Sequence, residues 1–254
     1  MPDAEALAKA AGLVDYRRIR LEGNTVTLPA GMTELSSELF RDCSALREIS
    51  LPEGLTAIGD LAFRGCSALR EITLPDGVTV IGGNAFYGCG SLTEIRLPAS
   101  LETIGVAAFQ GCAGLTRVDL PEGLREIGAY AFYFLPRLTE VTFPLGLEKI
   151  GSYAFSYSGM TTLALQEGLV SVGDFAFACC PLTSLELPVS LESIGPGAFS
   201  NCPGLRSVRL PAGLQELGDL AFGNCPALTL TVVPGSPAEQ YCKDNGLAYV
   251  CAEE

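Results

Sequence analysis

The stretch LPEGLTAIGDLAFRGCSALREIT, residues 51–73, contains the pattern that decides the fold. Its Phe63 belongs to a column of phenylalanines that recur every 22 or 23 residues and account for nine of the twelve in the chain. The column consists of Phe40, Phe63, Phe86, Phe109, Phe132, Phe155, Phe177, Phe199 and Phe222. Around each one the sequence reads approximately L-P-x-G-L-x-x-I-G-x-x-A-F-x-x-C-x-x-L-x-x-I-x. Self-similarity at a fixed period indicates about nine tandem repeats between residues 28 and 231.

Each repeat contains extended segments and a tight turn. Ile72 and Leu74 are two residues apart, so on a strand both side chains point to the same face. Pro75 ends that strand, because proline cannot donate the next hydrogen bond of a ladder. Phe86 and Cys89 follow at the spacing of a tight helical turn. Since no repeat can bury its apolar residues alone, we expect the repeats to stack and their strands to form one continuous parallel sheet.

The pattern therefore predicts a β-rich solenoid with a parallel sheet and tight helical turns. It has about nine repeats of 22–23 residues and a cap at each end. We expect a single solenoid domain over residues 1–254, in which residues 1–27 form the first cap, 28–231 the repeats and 232–254 the second cap.

Both caps have local signals of their own. Residues 3–11 favour a helix, and residues 17–22 and 25–28 resemble a hairpin or a degenerate first repeat. Near the other end, residues 236–239 form a capping box with proline at the first helical position. Residues 247–250 indicate a last short strand.

Charge and composition exclude several classes of function. The chain has 16 Lys and Arg against 29 Asp and Glu, a net charge of −13 that argues against nucleic acid or an anionic membrane as partner. It has no His, so a histidine-dependent nucleophilic site cannot form. No apolar run reaches about 18 residues, which predicts no membrane insertion. The sequence begins without a basic segment followed by an apolar one, so no secretory signal is visible and localisation stays open.

Seven of the ten cysteines lie three residues after a phenylalanine of the column. These are Cys43, Cys66, Cys89, Cys112, Cys180, Cys202 and Cys225. We interpret them as small apolar side chains that fill one corner of each repeat, because Leu135 replaces the cysteine in one repeat and could pack but not bind a metal. We therefore expect no metal and no cofactor. Cys179, Cys242 and Cys251 lie outside the column and are the better candidates for thiol reactivity.

Six aromatic residues lie outside the phenylalanine column and in neighbouring repeats. They are Tyr130, Tyr133, Phe134, Tyr153, Tyr157 and Phe175. Tyr130, Tyr153 and Phe175 hold one equivalent position, and Phe134 and Tyr157 share another. Stacking should gather all six on one side of the solenoid, where they form a candidate binding site. The alternative is that these rings fill gaps between irregular repeats.

A secondary candidate is an acidic patch on the strands. Glu48, Glu71 and Glu94 hold equivalent outward positions in successive repeats, so stacking should place them about 5 Å apart. They could attract a basic partner or a cation. The alternative is an ordinary solvated sheet face with Arg47 and Arg70 nearby.

The repeat pattern resembles the BspA-like, or Treponema-type, leucine-rich repeats. The resemblance rests on the Leu-Pro, Ile-Gly and Ala-Phe pairs, the cysteine three residues after the phenylalanine, and the Leu and Ile that follow. It implies a leucine-rich-repeat solenoid of the kind found in bacterial surface or secreted proteins that bind host, matrix or bacterial proteins. It implies no catalytic residues.

From architecture and the absence of catalytic chemistry we predict a non-catalytic protein-interaction scaffold whose protein partner is unknown, and not an enzyme. The alternatives are a structural protein that self-associates through the aromatic side, or a carbohydrate-binding variant of the scaffold.

Overall fold

The computed structural model describes residues 20–22, 25–28 and 31–252. The helix predicted over residues 3–11 lies outside the described residues. From residue 31 onwards each repeat forms one turn of a solenoid and contributes, in order, a short strand, a segment of consecutive turns and a longer strand.

The longer strands form one side of the solenoid. They are β4 (Glu48–Ser50), β6 (Glu71–Thr73), β8 (Glu94–Arg96), β10 (Arg117–Asp119), β12 (Glu140–Thr142), β14 (Thr162–Ala164), β16 (Ser184–Glu186), β18 (Ser207–Arg209) and β20 (Thr229–Val232). Their middle residues point inward and are buried in most repeats, as the spacing of apolar residues predicts. These strands are hydrogen-bonded only in small groups, such as β6 with β8 and β10 with β12. Prolines follow most of them closely and donate no ladder hydrogen bond.

The short strands form the continuous sheet. They are β3 (Glu34–Leu35), β5 (Ala57–Ile58), β7 (Val80–Ile81), β9 (Thr103–Ile104), β11 (Glu126–Ile127), β13 (Lys149–Ile150), β15 (Ser171–Val172), β17 (Ser193–Ile194) and β19 (Glu216–Leu217). All nine are paired in parallel and in register from β3 to β19. The sequence therefore predicts a parallel solenoid correctly but assigns the continuous sheet to the wrong strand of the repeat.

The segment around each phenylalanine consists of consecutive turns and contains no helix among the described repeats. In the repeat of Phe63, the backbone is left-handed two residues before it, at Leu61 with φ 59°, and two residues after it, at Gly65 with φ 73°. A helix needs consecutive right-handed residues, so these positions interrupt it. They turn alternate amides toward the next repeat, where the Phe63 amide donates to the Ala85 carbonyl at 2.7 Å. The tight helical turn expected here is thus a row of turns with its own inter-repeat hydrogen bonds.

The core contains the nine phenylalanines as one continuous pile of rings, which we call the phenylalanine stack. Successive ring centroids are 5.1–5.5 Å apart and successive ring planes differ by at most 13°. Every ring is at most 1% exposed. Offset-stacked rings at this separation add to the free energy gained by burial.

The corner between short strand and turn segment is tight enough to require glycine. At Gly128, for example, an added Cβ would lie 2.8 Å from the backbone of Ile104 and Gly105 in the preceding repeat. The same position is glycine in neighbouring repeats, including Gly151 and Gly173, for the same reason.

The described parts of the caps agree with their sequence signals. β1 (Arg20–Glu22) pairs antiparallel with β2 (Thr25–Thr27), and β2 also pairs in parallel with β4. The two expectations for this segment, a hairpin and a degenerate first repeat, are therefore both met. At the other end, α1 (Pro237–Asp244) begins at Ser236, whose hydroxyl accepts from the Glu239 amide, and β21 (Tyr249–Cys251) pairs with β20.

Candidate functional site

The six aromatic residues predicted as a binding site do come together on the turn side of repeats five to seven. We call them the aromatic cluster. Tyr133 is its centre, since its ring lies 5.6 Å from that of Tyr130, 6.4 Å from Tyr153 and 5.9 Å from Tyr157, each time with an edge against a face. Phe134 lies 6.1 Å from Tyr157. The repeat spacing was thus sufficient to predict which rings meet.

Three rings of the cluster form a second pile, which we call the outer stack. Tyr130 and Tyr153 are 4.8 Å apart with ring planes 4° from parallel, and Tyr153 and Phe175 are 5.0 Å apart. The outer stack ends over Gly197, the equivalent residue of the next repeat, where an added Cβ would overlap the Phe175 ring. At its other end the equivalent residue is Ala107, whose methyl group is too small to cover a tyrosine ring.

The six rings of the aromatic cluster differ in their exposure. Tyr130 is 36% exposed, Phe134 52% and Tyr157 45%, whereas Tyr133, Tyr153 and Phe175 are half-buried. Single exposed apolar residues are common on proteins, but a contiguous group of rings is typical of an interaction surface.

Five of the six rings are attached to left-handed backbone. Tyr130, Phe134, Tyr153, Tyr157 and Phe175 have φ between 53° and 61°. Glycine and asparagine adopt this conformation most easily, and Gly65, Gly88 and Asn201 occupy the position of Phe134 in other repeats. Both positions are left-handed in the other repeats as well, for example at Leu61 and Ala107, so this conformation belongs to the repeat and not to the aromatic cluster alone. Sequence reasoning did not predict this conformation, although glycine or asparagine at that position in most repeats was an available signal.

Two polar side chains border the aromatic cluster. Asp174 precedes Phe175, and its carbonyl accepts from the Tyr153 amide at 2.8 Å. Partial desolvation, followed by the negative charges nearby, raises the pKa of Tyr153 above its ordinary value of 10.0. Interaction with the nearby Cys179 thiol is the main cause that raises the pKa of Tyr157 above its ordinary value.

A groove that the sequence did not predict runs beside the aromatic cluster. We call it the glycine groove. It has a volume of about 690 Å³, and glycines 151, 173, 195 and 218 form its floor. Its walls are formed by Glu126, Lys149, Ser152, Ser171, Asp174, Ser193 and Glu216, among others. Asp174 therefore belongs both to the glycine groove and to the border of the aromatic cluster.

The three glutamates of the secondary candidate lie on another side of the solenoid. Glu48, Glu71 and Glu94 are exposed on β4, β6 and β8, and Glu71 is the direct partner of Glu94 in the β6–β8 register. Within the described chain neither Arg47 nor Arg70 forms an ion pair with them. Glu71 and Glu94 are neighbours as expected, and the role of the three glutamates in binding stays a prediction.

The seven column cysteines are all buried, and all ten cysteines are free thiols. Six of the buried thiols donate to the carbonyl of a core phenylalanine in the preceding repeat at 3.0–3.5 Å, as Cys112 does to Phe86. Burial raises the pKa of the Cys180 thiol to about 11. The cysteines of the column therefore pack in the core and also donate hydrogen bonds. The interpretation as small apolar side chains is correct for their packing but does not include these hydrogen bonds.

Cys242 was expected among the more reactive thiols, and this prediction is wrong. It is fully buried on the inner face of α1, and burial raises its pKa. Cys251 is exposed and Cys179 is half-buried.

Among the residues described, no group of three or more Cys, Asp, Glu or His is arranged to hold a metal ion. The part of the chain that the structure describes also contains no helix that is long and apolar enough to cross a membrane.

The repeat geometry agrees with a comparison against protein families. The model for the BspA type leucine rich repeat region matches residues 33–159 and 125–239, in six copies. The chain belongs to the BspA-type leucine-rich repeat family. The family predicted from the Leu-Pro, Ile-Gly and Ala-Phe pattern is therefore confirmed, and no curated protein matches the chain.

Solved structures of bacterial leucine-rich repeat proteins have a similar fold. A leucine-rich repeat protein from Bacteroides ovatus is 23% identical with a TM-score of 0.51, and the match covers 91% of this chain and 84% of that one. A leucine rich cell surface protein from Faecalibacterium prausnitzii is 20% identical with a TM-score of 0.52, over 93% and 86% of the two chains. The pneumococcal vaccine antigen PcpA is 16% identical with a TM-score of 0.52, over 91% and 68%. At these identities the likeness shows the fold alone.

Proposed function

We propose that this BspA-type solenoid is a non-catalytic scaffold that binds another protein through the aromatic cluster. One observation carries the proposal: six rings form a contiguous, partly exposed group on the turn side of repeats five to seven. Tyrosine and phenylalanine contribute large contact areas with few rotatable bonds, which makes them effective at the centre of protein interfaces.

Two further observations agree with the proposal. The fold leaves its aromatic cluster on an open lateral surface rather than in an enclosed cleft, whereas catalytic sites are usually concave. A role at the bacterial surface, in adhesion or contact with host proteins, agrees with the name of the cell surface protein from Faecalibacterium prausnitzii that shares this fold.

The test compares the protein with a variant that carries Tyr130→Asn and Tyr153→Asn. Asparagine already occupies the equivalent left-handed position at Asn84, where φ is 54°, so the backbone should be retained. The immobilised proteins are exposed to a defined panel of purified matrix and bacterial surface proteins. We expect the variant to lose at least about 10-fold in affinity for any partner bound by the parent protein. A matched control replaces Leu220, which holds the same position in repeat nine, by Asn.

An unchanged affinity in the double variant, at an unchanged Tm, would exclude the aromatic cluster as the binding surface. Light scattering across protein concentrations separates the alternative of self-association. Concentration-dependent assembly that the double variant abolishes, without any partner from the panel, would favour the structural role over the scaffold.

A further inference from the structure

We propose that the aromatic cluster and the glycine groove form one continuous site that takes an extended, arginine-containing segment of the partner protein, with Asp174 as its charge contact. This inference rests on the function proposed above and specifies the chemistry of the partner.

The two surfaces meet at Asp174. Its side chain lines the glycine groove, while its backbone carbonyl accepts from the Tyr153 amide and its neighbour Phe175 ends the outer stack. A segment lying in the groove would therefore run beside the aromatic cluster along repeats six and seven.

The Asp174 carboxylate lacks the hydrogen bond that its equivalent makes in an earlier repeat. Asp60 holds the same position, three residues before a core phenylalanine, and accepts from the Gly83 amide at 2.7 Å. The residue in the place of Gly83 is Pro196 for Asp174, and proline has no N–H. Asp174 is exposed, and within the described chain its side chain has neither a hydrogen bond nor an ion pair. Its oxygens are free to accept from a ligand.

The negative charge of the groove favours a positively charged ligand. Its lining contains Glu126, Asp174 and Glu216 against the single cation Lys149, which gives 1 − 3 = −2. The whole chain carries −13, so the long-range field also attracts cationic segments.

The chain itself shows that the turn surface accommodates a guanidinium on a tyrosine. Arg64 lies over the ring of Tyr87 with its central carbon 5.2 Å from the ring centroid. Both residues directly follow a core phenylalanine, as Tyr133 does in the aromatic cluster. A partner's arginine can contact the cluster in the same way and gain a cation–π interaction in addition to the charge of Asp174.

The shape of the groove favours an extended occupant. Its glycine floor crosses four successive repeats, from Gly151 to Gly218. Three steps of about 4.8 Å make roughly 15 Å, the length of about four or five extended residues. A segment of that length would lie parallel to the solenoid axis.

The experiment measures fluorescence anisotropy of a labelled five-residue peptide with alternating arginine and serine, at about 50 mM NaCl where charge contacts are weakly screened. The matched peptide has glutamate in place of arginine. We expect Asp174→Asn to weaken binding of the arginine peptide by about 5- to 10-fold, and the Tyr130→Asn, Tyr153→Asn variant by at least as much. Asp219→Asn is the control, since Asp219 holds the same position in repeat nine and is exposed, but does not line the groove; we expect an effect below about 2-fold.

Equal effects of the two aspartate substitutions would show attraction to the diffuse negative charge of the chain and would overturn the proposed site. Binding of the glutamate peptide, or of a neutral oligosaccharide in place of either peptide, would overturn it as well.

A failure of the proposed function can be distinguished from a failure of this inference. If the tyrosine variant still binds the protein partner, the function is wrong; if it loses that partner while Asp174→Asn binds the arginine peptide like the parent, only this inference is wrong.

Discussion

The phenylalanine stack and the outer stack are two piles of aromatic rings generated by the same repeat. Their spacings are almost equal, 5.1–5.5 Å inside and 4.8–5.0 Å outside, because both are set by the distance between successive repeats. They differ in burial and in backbone conformation: the inner rings are fully buried, whereas Tyr130, Tyr153 and Phe175 are only partly covered and left-handed. Similar ring geometry thus has different consequences, and the comparison predicts which rings stabilise the fold and which serve binding.

The largest expected effect is the loss of an inner ring. Phe132→Ala removes a fully buried side chain between two stacked neighbours and should lower the free energy of unfolding by about 3–5 kcal/mol. Tyr153→Asn removes the middle ring of the outer stack and should lower it by less than about 1 kcal/mol, since Tyr153 is half-buried and asparagine fits its backbone. Urea unfolding followed by circular dichroism measures both. Similar losses would mean that the outer stack is part of the core.

A second effect of intermediate size concerns the end of the outer stack. Gly197→Ala places a methyl group into the Phe175 ring on a backbone with φ 62°, and should lower the free energy of unfolding by about 2 kcal/mol. In a Phe175→Asn background the overlap disappears but the left-handed backbone remains, so about half of the loss should persist. The double-mutant cycle is measured by the same unfolding assay. If the loss is identical in both backgrounds, the Phe175 ring does not rest on Gly197.

The inner stack could be predicted from the sequence because its determinants repeat. Phenylalanine recurs at nearly every turn with cysteine three residues later, and a regular apolar column has one physical explanation, a shared buried position. The same regularity predicted which rings of the aromatic cluster meet, since stacking places equivalent residues next to one another.

The rest of the site could not be predicted, because it depends on how residues of different repeats are arranged relative to one another and not on the type of any single residue. The glycine groove is formed by residues of several repeats together, and the free carboxylate of Asp174 depends on Pro196 in the following repeat. The continuous sheet was assigned to the wrong strands because each short strand has only one buried residue, as in Val80–Ile81, which is too few to show a period of two.

A smaller effect on the free energy of unfolding is expected for Cys180, which is buried next to the half-buried Cys179. Cys180 is buried and its pKa is raised to about 11 from 9.0. Its neutral thiol therefore stabilises the fold fully below the pKa of the unfolded chain, and this contribution is lost as the pH rises from about 9 toward about 11. Between pH 8 and 10 the parent protein should lose about 1 kcal/mol more than Cys180→Ala, measured by urea unfolding at both pH values. An equal pH dependence in the two proteins would show that the Cys180 thiol ionises as readily in the fold as outside it.

Reagent access to the same pair gives an independent check. With a thiol-reactive dye and no denaturant, Cys179 and the exposed Cys251 should react, and Cys180 should react only after unfolding. Rapid reaction of most of the ten thiols in the native protein would contradict the buried column.

The smallest expected change in the free energy of unfolding is that of removing an exposed ring of the aromatic cluster. Phe134→Asn removes a 52% exposed ring from a backbone with φ 59° and installs a residue that tolerates this conformation, as Asn201 does at the equivalent position. The contact of Phe134 with Tyr157 is lost and the backbone strain is relieved, so the free energy of unfolding should change by less than about 1 kcal/mol in either direction. A thermal melt of the variant beside the parent measures this. A loss of more than about 2 kcal/mol would mean that Phe134 packs like an inner ring, because only burial supplies a stabilisation of that size. A change near zero means that the contacts of the ring only balance its backbone strain, so that the exposed ring adds no net stability to the fold and is free to serve binding.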